Sequence, residues 1–249
     1  MSDFNRGFSS IPAGRADMAV DAGLRSFMLG VYNKVALGLV LSAALAFVTS
    51  AVQPVRDLLF VISADNRLVG VTPLGMAVQW SPLIAVLIGV FAMRNPSPKS
   101  ASIFYWIIVA LMGAGLGAIG LIYTGGSIAS TFLVTAASFG ALSLAGYTTK
   151  KDLTGFGSFL IVGLFGLIVA MVVNAFLHSA MVYFIVNVLG VFIFAGLIAY
   201  DTQRLKTTYY QLGGNQAALG VATSYGALNL YLDFINLFLF LLRIFGGRR

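Results

Sequence analysis

The chain has 249 residues; 59% are hydrophobic and only 9% are charged. Soluble domains carry about 25% charged residues, so this composition excludes a soluble fold and specifies an all-α, polytopic protein whose solvent is the lipid bilayer. With no cysteine and no glutamate, disulfides and thiolate chemistry are excluded, and eight aspartates are the only side-chain carboxylates. The net charge of +7 belongs to loops that set orientation rather than to a nucleic-acid surface.

At about 20 residues per span, the length leaves room for six to eight crossings. Residues 1–26 lack an apolar core and read as a flexible cytoplasmic tail rather than a signal peptide. Residues 27–249 read as one seven-helix transmembrane domain. Helix 1 is expected over 27–52, with Lys34 snorkelling near its start. Residues 53–73, with Arg56, Asp57, Asp65, Asn66 and Arg67, read as an exposed loop with room for an interfacial helix. Helix 2 is expected over 74–93, with Pro82 kinking it or marking its true start. A basic turn at 94–99 follows. Helix 3, over 102–123, holds Gly113 and Gly117, a small-xxx-small pair that permits close helix contact. Helix 4 is expected over 128–147, helix 5 over 156–177, helix 6 from 182 to about 209 and helix 7 over about 220–245. His178, the single histidine, falls in a turn and reads as solvated.

Lysine and arginine counts give the orientation. The tail and the turns at 94–99, 148–154 and 201–220 hold Arg6, Arg15, Arg25, Arg94, Lys99, Lys150, Lys151, Arg204 and Lys206. The opposite set holds Arg56, Arg67, Arg243, Arg248 and Arg249. The excess puts the N-terminus in the cytoplasm. Three of the opposing charges follow helix 7, so a re-entrant last segment would suit the charge rule better, whereas its length suits a full span.

The last helix carries the chemistry. Asn229, Asp233, Asn236, Phe240 and Arg243 follow 4-3-4-3 spacing and share one face. A carboxylate at mid-span costs about 2.5–3.5 kcal/mol on insertion scales, so this face must turn towards protein and the helix must be central. Helix 6 offers a matching face: Asn187, Gly190, Phe194, Leu197, Asp201 and Arg204. Asp201 lies roughly 12 Å before the end of helix 6, and Asp233 roughly 16 Å into helix 7, at 1.5 Å per residue. The two antiparallel neighbours therefore place both carboxylates at similar depth, on the cytoplasmic side of the midplane. Two facing carboxylates in a poorly hydrated site share one proton near neutral pH. Deprotonated, they offer a hard oxygen site for Ca²⁺, though two carboxylates fall short of its usual six to eight ligands. Arg94 or Arg204 is available as a latch that neutralises the pair. Alternatively, Asp201 is a solvated helix-end residue contacting Arg204, and Asp233 a structural hydrogen-bonding group.

The segment Leu230-Tyr-Leu-Asp-Phe-Ile-Asn-Leu-Phe-Leu-Phe-Leu-Leu-Arg243, with Tyr200-Asp201, Arg204-Leu-Lys206 and Gly146-Tyr-Thr-Thr-Lys-Lys-Asp-Leu153, resembles the Bax inhibitor-1 family, in particular its bacterial branch. The resemblance implies seven helices with the last one central, and a pH-sensitive Ca²⁺ leak sensed by two aspartates that match Asp201 and Asp233. It implies an arginine partner on helix 2, at Arg94, and for the bacterial branch a link to a membrane-anchored quality-control protease. An intramembrane aspartyl protease fits poorly, because Tyr231-Leu232 stands where those enzymes place a glycine and no proline follows Pro98. The expectation is a non-enzymatic inner-membrane protein without a cofactor, Ca²⁺ being a permeant or bound ion.

Overall fold

The computed structural model of the chain describes residues 13–64 and 67–249, with backbone only for 13–21 and Val90. The expected tail residues 1–12, with Arg6, and the loop residues Asp65 and Asn66 lie outside the described residues.

Nine helices and one hairpin are described. Helix α1 (Ala13–Ala51) begins well before residue 27, so 13–26 is helical rather than a tail. The segment read as a loop folds into α2 (Gln53–Leu59) and a small hairpin of β1 (Phe60–Ile62) and β2 (Leu68–Val71), which pairs Val61 with Gly70. Then follow α3 (Pro73–Ala92), α4 (Pro98–Gly115), α5 (Gly117–Ile122), α6 (Gly125–Thr148), α7 (Thr154–Leu177), α8 (Ala180–Gln211) and α9 (Gln216–Phe245).

Local chemistry sets the boundaries. Thr72, Ser97, Thr124, Ser179 and Asn215 each accept a backbone N–H of the turn they cap, and proline follows at Pro73 and Pro98. Helix α7 ends on His178 at φ 51°, and the last interhelical turn uses Gly213 and Gly214 at φ 54° and 84°, backbone that glycine adopts freely. Pro82 sits inside α3 without ending it. The carbonyl it cannot serve, that of Val78, accepts the Ser81 hydroxyl at 2.7 Å instead.

Helix 3 divides at Leu116 into α4 and α5. Both expected glycines meet α1: a Cβ on Gly113 would strike the Ser42 backbone, and one on Gly117 would strike Thr49, whose hydroxyl lies 3.0 Å from the Leu45 carbonyl of its own helix and 3.2 Å from that of Ala114. Counting α4 and α5 together, six helices are long and apolar enough to cross a bilayer, and Pro73–Gly89 of α3 supplies a shorter seventh apolar helix.

Helix α9 packs against α8, α1, α4 and α6. In its most apolar stretch 61% of residues are buried, against 11% in α7, which faces lipid. Its start lies by Pro98, which a Cβ on Gly220 would contact. The residues after its other end pair with the α5–α6 turn: the Thr124 N–H donates to the Gly247 carbonyl, and the Arg249 N–H to that of Ile122, both at 3.0 Å. The helix therefore traverses the whole bundle, as its length suits. The turns at 93–97, 149–153 and 212–215 mark the near end. The hairpin, the turns at 123–124 and 178–179, and residues 246–249 mark the far end.

Candidate functional site: an aspartate pair between α8 and α9

Helices α8 and α9 run antiparallel with their two polar faces together. Asp201 and Asp233 bring their carboxyls within hydrogen-bonding reach of each other. Two turns towards the far end, the rings of Phe194 and Phe240 stack, with centroids 5.7 Å apart. Beyond that, the absent side chain of Gly190 makes room for the Phe240 ring. The same register carries Arg204 opposite Asn229 and Asn187 towards Arg243, because the chains run in opposite directions with one common repeat.

A cavity of about 410 Å³ opens on this seam, walled by α7 and lined by Asp201, Arg204, Asn229, Asp233, Asn236 and Phe240 among others. It contains every polar residue expected on the last helix except Arg243, which lines a second cavity at the far end. Asp233 is only 6% exposed and its Oδ2 has no hydrogen-bond partner. Arg204 acts electrostatically on Asp201; among the described residues, the one ion pair within 4.0 Å is Arg56 with Asp57 at the far end. Asn236 lines the cavity, and its amide donates to the Leu232 carbonyl at 2.8 Å.

Next to Asp201, a relay of hydroxyls ties α8 to α6 and α1. Thr202, its neighbour, donates to the Ile198 carbonyl at 2.8 Å. A hydroxyl donates once, so Ser143 on α6 donates to Thr202 at 2.9 Å, and Tyr32 on α1 donates to Ser143 at 2.6 Å. Closer to the near end, Gln203 ties α8 to the α6–α7 turn through the Leu153 N–H and the Lys151 carbonyl. A Cβ on Gly146 would strike the Ala199 backbone, so α6 lies directly against α8 just before the aspartate.

A family model described as "Inhibitor of apoptosis-promoting Bax1" matches residues 24–249. The chain belongs to the Bax inhibitor-1 family. An uncharacterized protein of Caulobacter vibrioides is 66% identical over 250 residues, covering 100% of both chains. The inner membrane protein YbhL of Escherichia coli K12 is 42% identical over 238 residues, 94% of this chain and 98% of its own. An uncharacterized protein of Rickettsia prowazekii is 42% identical over 229 residues, 92% of each. This Bax inhibitor-1 member is thus a multi-pass membrane protein with an inner-membrane relative.

The family resemblance pointed to Arg94 as the partner of the aspartates. The structure places Arg94 exposed in the bend after α3, outside the cavity lining, and leaves Arg204 as the cavity's cation. Among the described residues no three metal-ligating His, Cys, Asp or Glu side chains cluster, so the pair supplies two carboxylates to any cation.

Sequence reasoning missed a second polar cluster of this Bax inhibitor-1 protein. Lys34 does not snorkel. Its ammonium donates to Ser102 on α4 at 2.9 Å and to Ser224 on α9 at 2.8 Å, while Tyr105 donates to the Lys34 carbonyl at 2.6 Å. The signal available in the sequence was the presence of Ser102 and Ser224 towards the near ends of their helices, at the depth of Lys34.

Proposed function

We propose that this protein is a pH-sensitive cation leak of the inner membrane, permeable to Ca²⁺ and governed by the proton that Asp201 and Asp233 share. The observation that carries the proposal is the placing of two carboxyls, within hydrogen-bonding reach, in a cavity at the seam of the central helix. With one proton between them, the carboxyls tie α8 to α9. Without it, two like charges face each other at low dielectric and repel. The proton therefore changes both the force between the two helices and the charge that a passing cation meets. The titratable groups lining the cavity are Asp201, Asp233, Arg204 and Tyr200, so the pH response resides in the aspartates, with Arg204 offsetting one negative charge. The near end, where most loop cations lie, is the cytoplasmic end.

The alternative is a regulatory protein that binds a membrane-anchored protease, a link the family resemblance suggested, with recognition by the N-terminal tail and residues 201–220. Helices α8 and α9 take most of that segment and leave a turn at 212–215, and we prefer the leak.

Purified protein in liposomes is expected to pass Ca²⁺ at a rate that changes between about pH 5 and 8, the range in which a shared carboxyl proton moves. Asp233→Asn and Asp201→Asn are expected to flatten that dependence. Flux no greater than that of protein-free liposomes at every pH in the series would reject the leak.

A further inference from the structure

The α8–α9 seam holds two cavities in line. Beyond the one around the aspartates lies another of about 650 Å³ at the far end, lined by Asn174, His178, Ser179, Asn187, Arg243 and Arg248 among others. Between them stand Phe194 and Phe240, stacked at 27° and only 6% and 3% exposed. Both rings also line the aspartate cavity, so they form its floor. From the other side the Arg243 guanidinium lies over the Phe240 ring, 5.4 Å from its centroid. Along α9, Phe240 sits about 10 Å beyond Asp233, and Arg243 about 4.5 Å further.

Two side-chain polar atoms are buried without a partner among the described residues, Asp233 Oδ2 and Asn187 Oδ1. They belong to the two cavities, one on each side of the ring pair. The Asn187 amide orientation is set by its own N–H donation to the Tyr183 carbonyl at 2.7 Å, which leaves the oxygen as the orphan. Buried polar atoms ordinarily find a partner, and water supplies one where space allows.

We propose that the stacked Phe194–Phe240 pair is the barrier of a water and cation path that runs along the α8–α9 seam between the two cavities, with Arg243 holding the Phe240 ring in place. The proposal rests on the leak assigned above and locates its closed point. Apolar constrictions of this kind stop ions by excluding their water. Gly190 is part of the device: a Cβ there would meet three Phe240 ring atoms at 2.7 Å, so only glycine lets the ring lie flat against α8. Arg243 and Arg248 add fixed positive charge at the far-end outlet, which opposes an approaching cation while the rings are closed. Water admitted past the rings gives both orphaned oxygens a donor.

The absence of cysteine permits a test that reads access and not flux. A single Asn236→Cys reporter sits in the aspartate cavity, just inside the rings. A membrane-impermeant, cationic thiol reagent is added to right-side-out and to inverted membrane vesicles. Gly125→Cys, at an exposed position with open space around it, identifies the vesicles that present the far end. From that end, Phe240→Ala is expected to raise the labelling rate of Asn236→Cys at least tenfold, Arg243→Gln to raise it less, and Phe240→Leu to leave it slow. A rise under Phe240→Ala smaller than tenfold overturns the barrier. Melting and gel filtration of each variant exclude unfolding as the source of faster labelling, and Gly190→Ala, which displaces the ring while Phe240 is intact, gives a second route to the same rise. The two readings fail separately. Faster labelling without wild-type Ca²⁺ flux keeps the barrier and rejects the leak, whereas pH-dependent flux with unchanged labelling keeps the leak and rejects the barrier.

Discussion

Helix α9 is gripped on one side by α1 and α4 and on the other by α8, and the two seams treat their polar groups differently. On the α1–α4 side the polar atoms are matched. Lys34 reaches Ser102 and Ser224, Ser42 donates to the Val109 carbonyl at 3.0 Å, and Tyr231 donates to Ser42 at 2.7 Å. On the α8 side, Asp233 and Asn187 each keep a buried oxygen without a partner, and both lie against cavities. A matched seam fixes a helix, because breaking any bond leaves a buried group unsatisfied. An unmatched seam beside a cavity holds polar groups whose partners must arrive from outside, as protons, water or ions. On the proposed function, the difference separates the part of the bundle that anchors α9 from the part that responds to the proton.

Breaking the matched side should have the largest effect on stability. Ser42→Ala removes the acceptor of the Tyr231 hydroxyl and is expected to cost about 1–3 kcal/mol, the usual penalty for a buried donor left unpaired. Thermal unfolding in detergent reads this as a clear drop in Tm; an unchanged Tm would mean that the seam is not an anchor. On the unmatched side the same operation should do little. Asn187→Leu deletes an oxygen that has no partner together with one donation to the Tyr183 carbonyl of its own helix, so stability is expected to stay within about 1 kcal/mol of wild type or to rise. A fall as large as that of Ser42→Ala would erase the distinction between the seams.

The smallest effect is expected outside both seams. The Asp152 carboxylate accepts the Thr154 N–H at 2.8 Å, and these hydrogen bonds with Thr154 hold it below the usual carboxylate range. A carboxyl with a lowered folded value contributes stability above its unfolded value and loses it as pH falls through the folded one. That window lies below about pH 4, so Asp152 stays charged across the range in which the leak is expected to respond. Asp152→Asn should leave the pH profile of Ca²⁺ flux unchanged; a flattened profile would move the sensor out of the α8–α9 seam.

The faces of α8 and α9 were legible in the sequence because a buried polar group in a long apolar helix is rare, and its 3.6-residue spacing survives any error in the helix ends. Asp201, Arg204, Asn229, Asp233 and Asn236 meet in one cavity for that reason. Lys34 was not legible: its partners lie 68 and 190 residues away, and nothing local distinguishes an inward lysine from a snorkelling one. The hairpin was hidden because strands of three and four residues carry too little alternation to stand out from a loop. Helix α1 began earlier than expected because residues 13–26 are polar, and hydropathy marks where a helix enters lipid rather than where it starts. Arg94 was offered by its charge and position in a loop and by the resemblance, neither of which fixes where a side chain lies; it is exposed after α3 and does not line the cavity.

The most direct test of the central claim is a double-mutant cycle on the pH dependence of Ca²⁺ flux in liposomes, with wild type, Asp201→Asn, Asp233→Asn and the double variant compared in one lipid. A proton shared by two carboxyls is a property of the pair, so each single variant should flatten the dependence and the double variant should flatten it no further than either single one. Losses that add across the two sites, or a wild-type profile in either single variant, would contradict a shared proton and leave the two aspartates as separate buried groups.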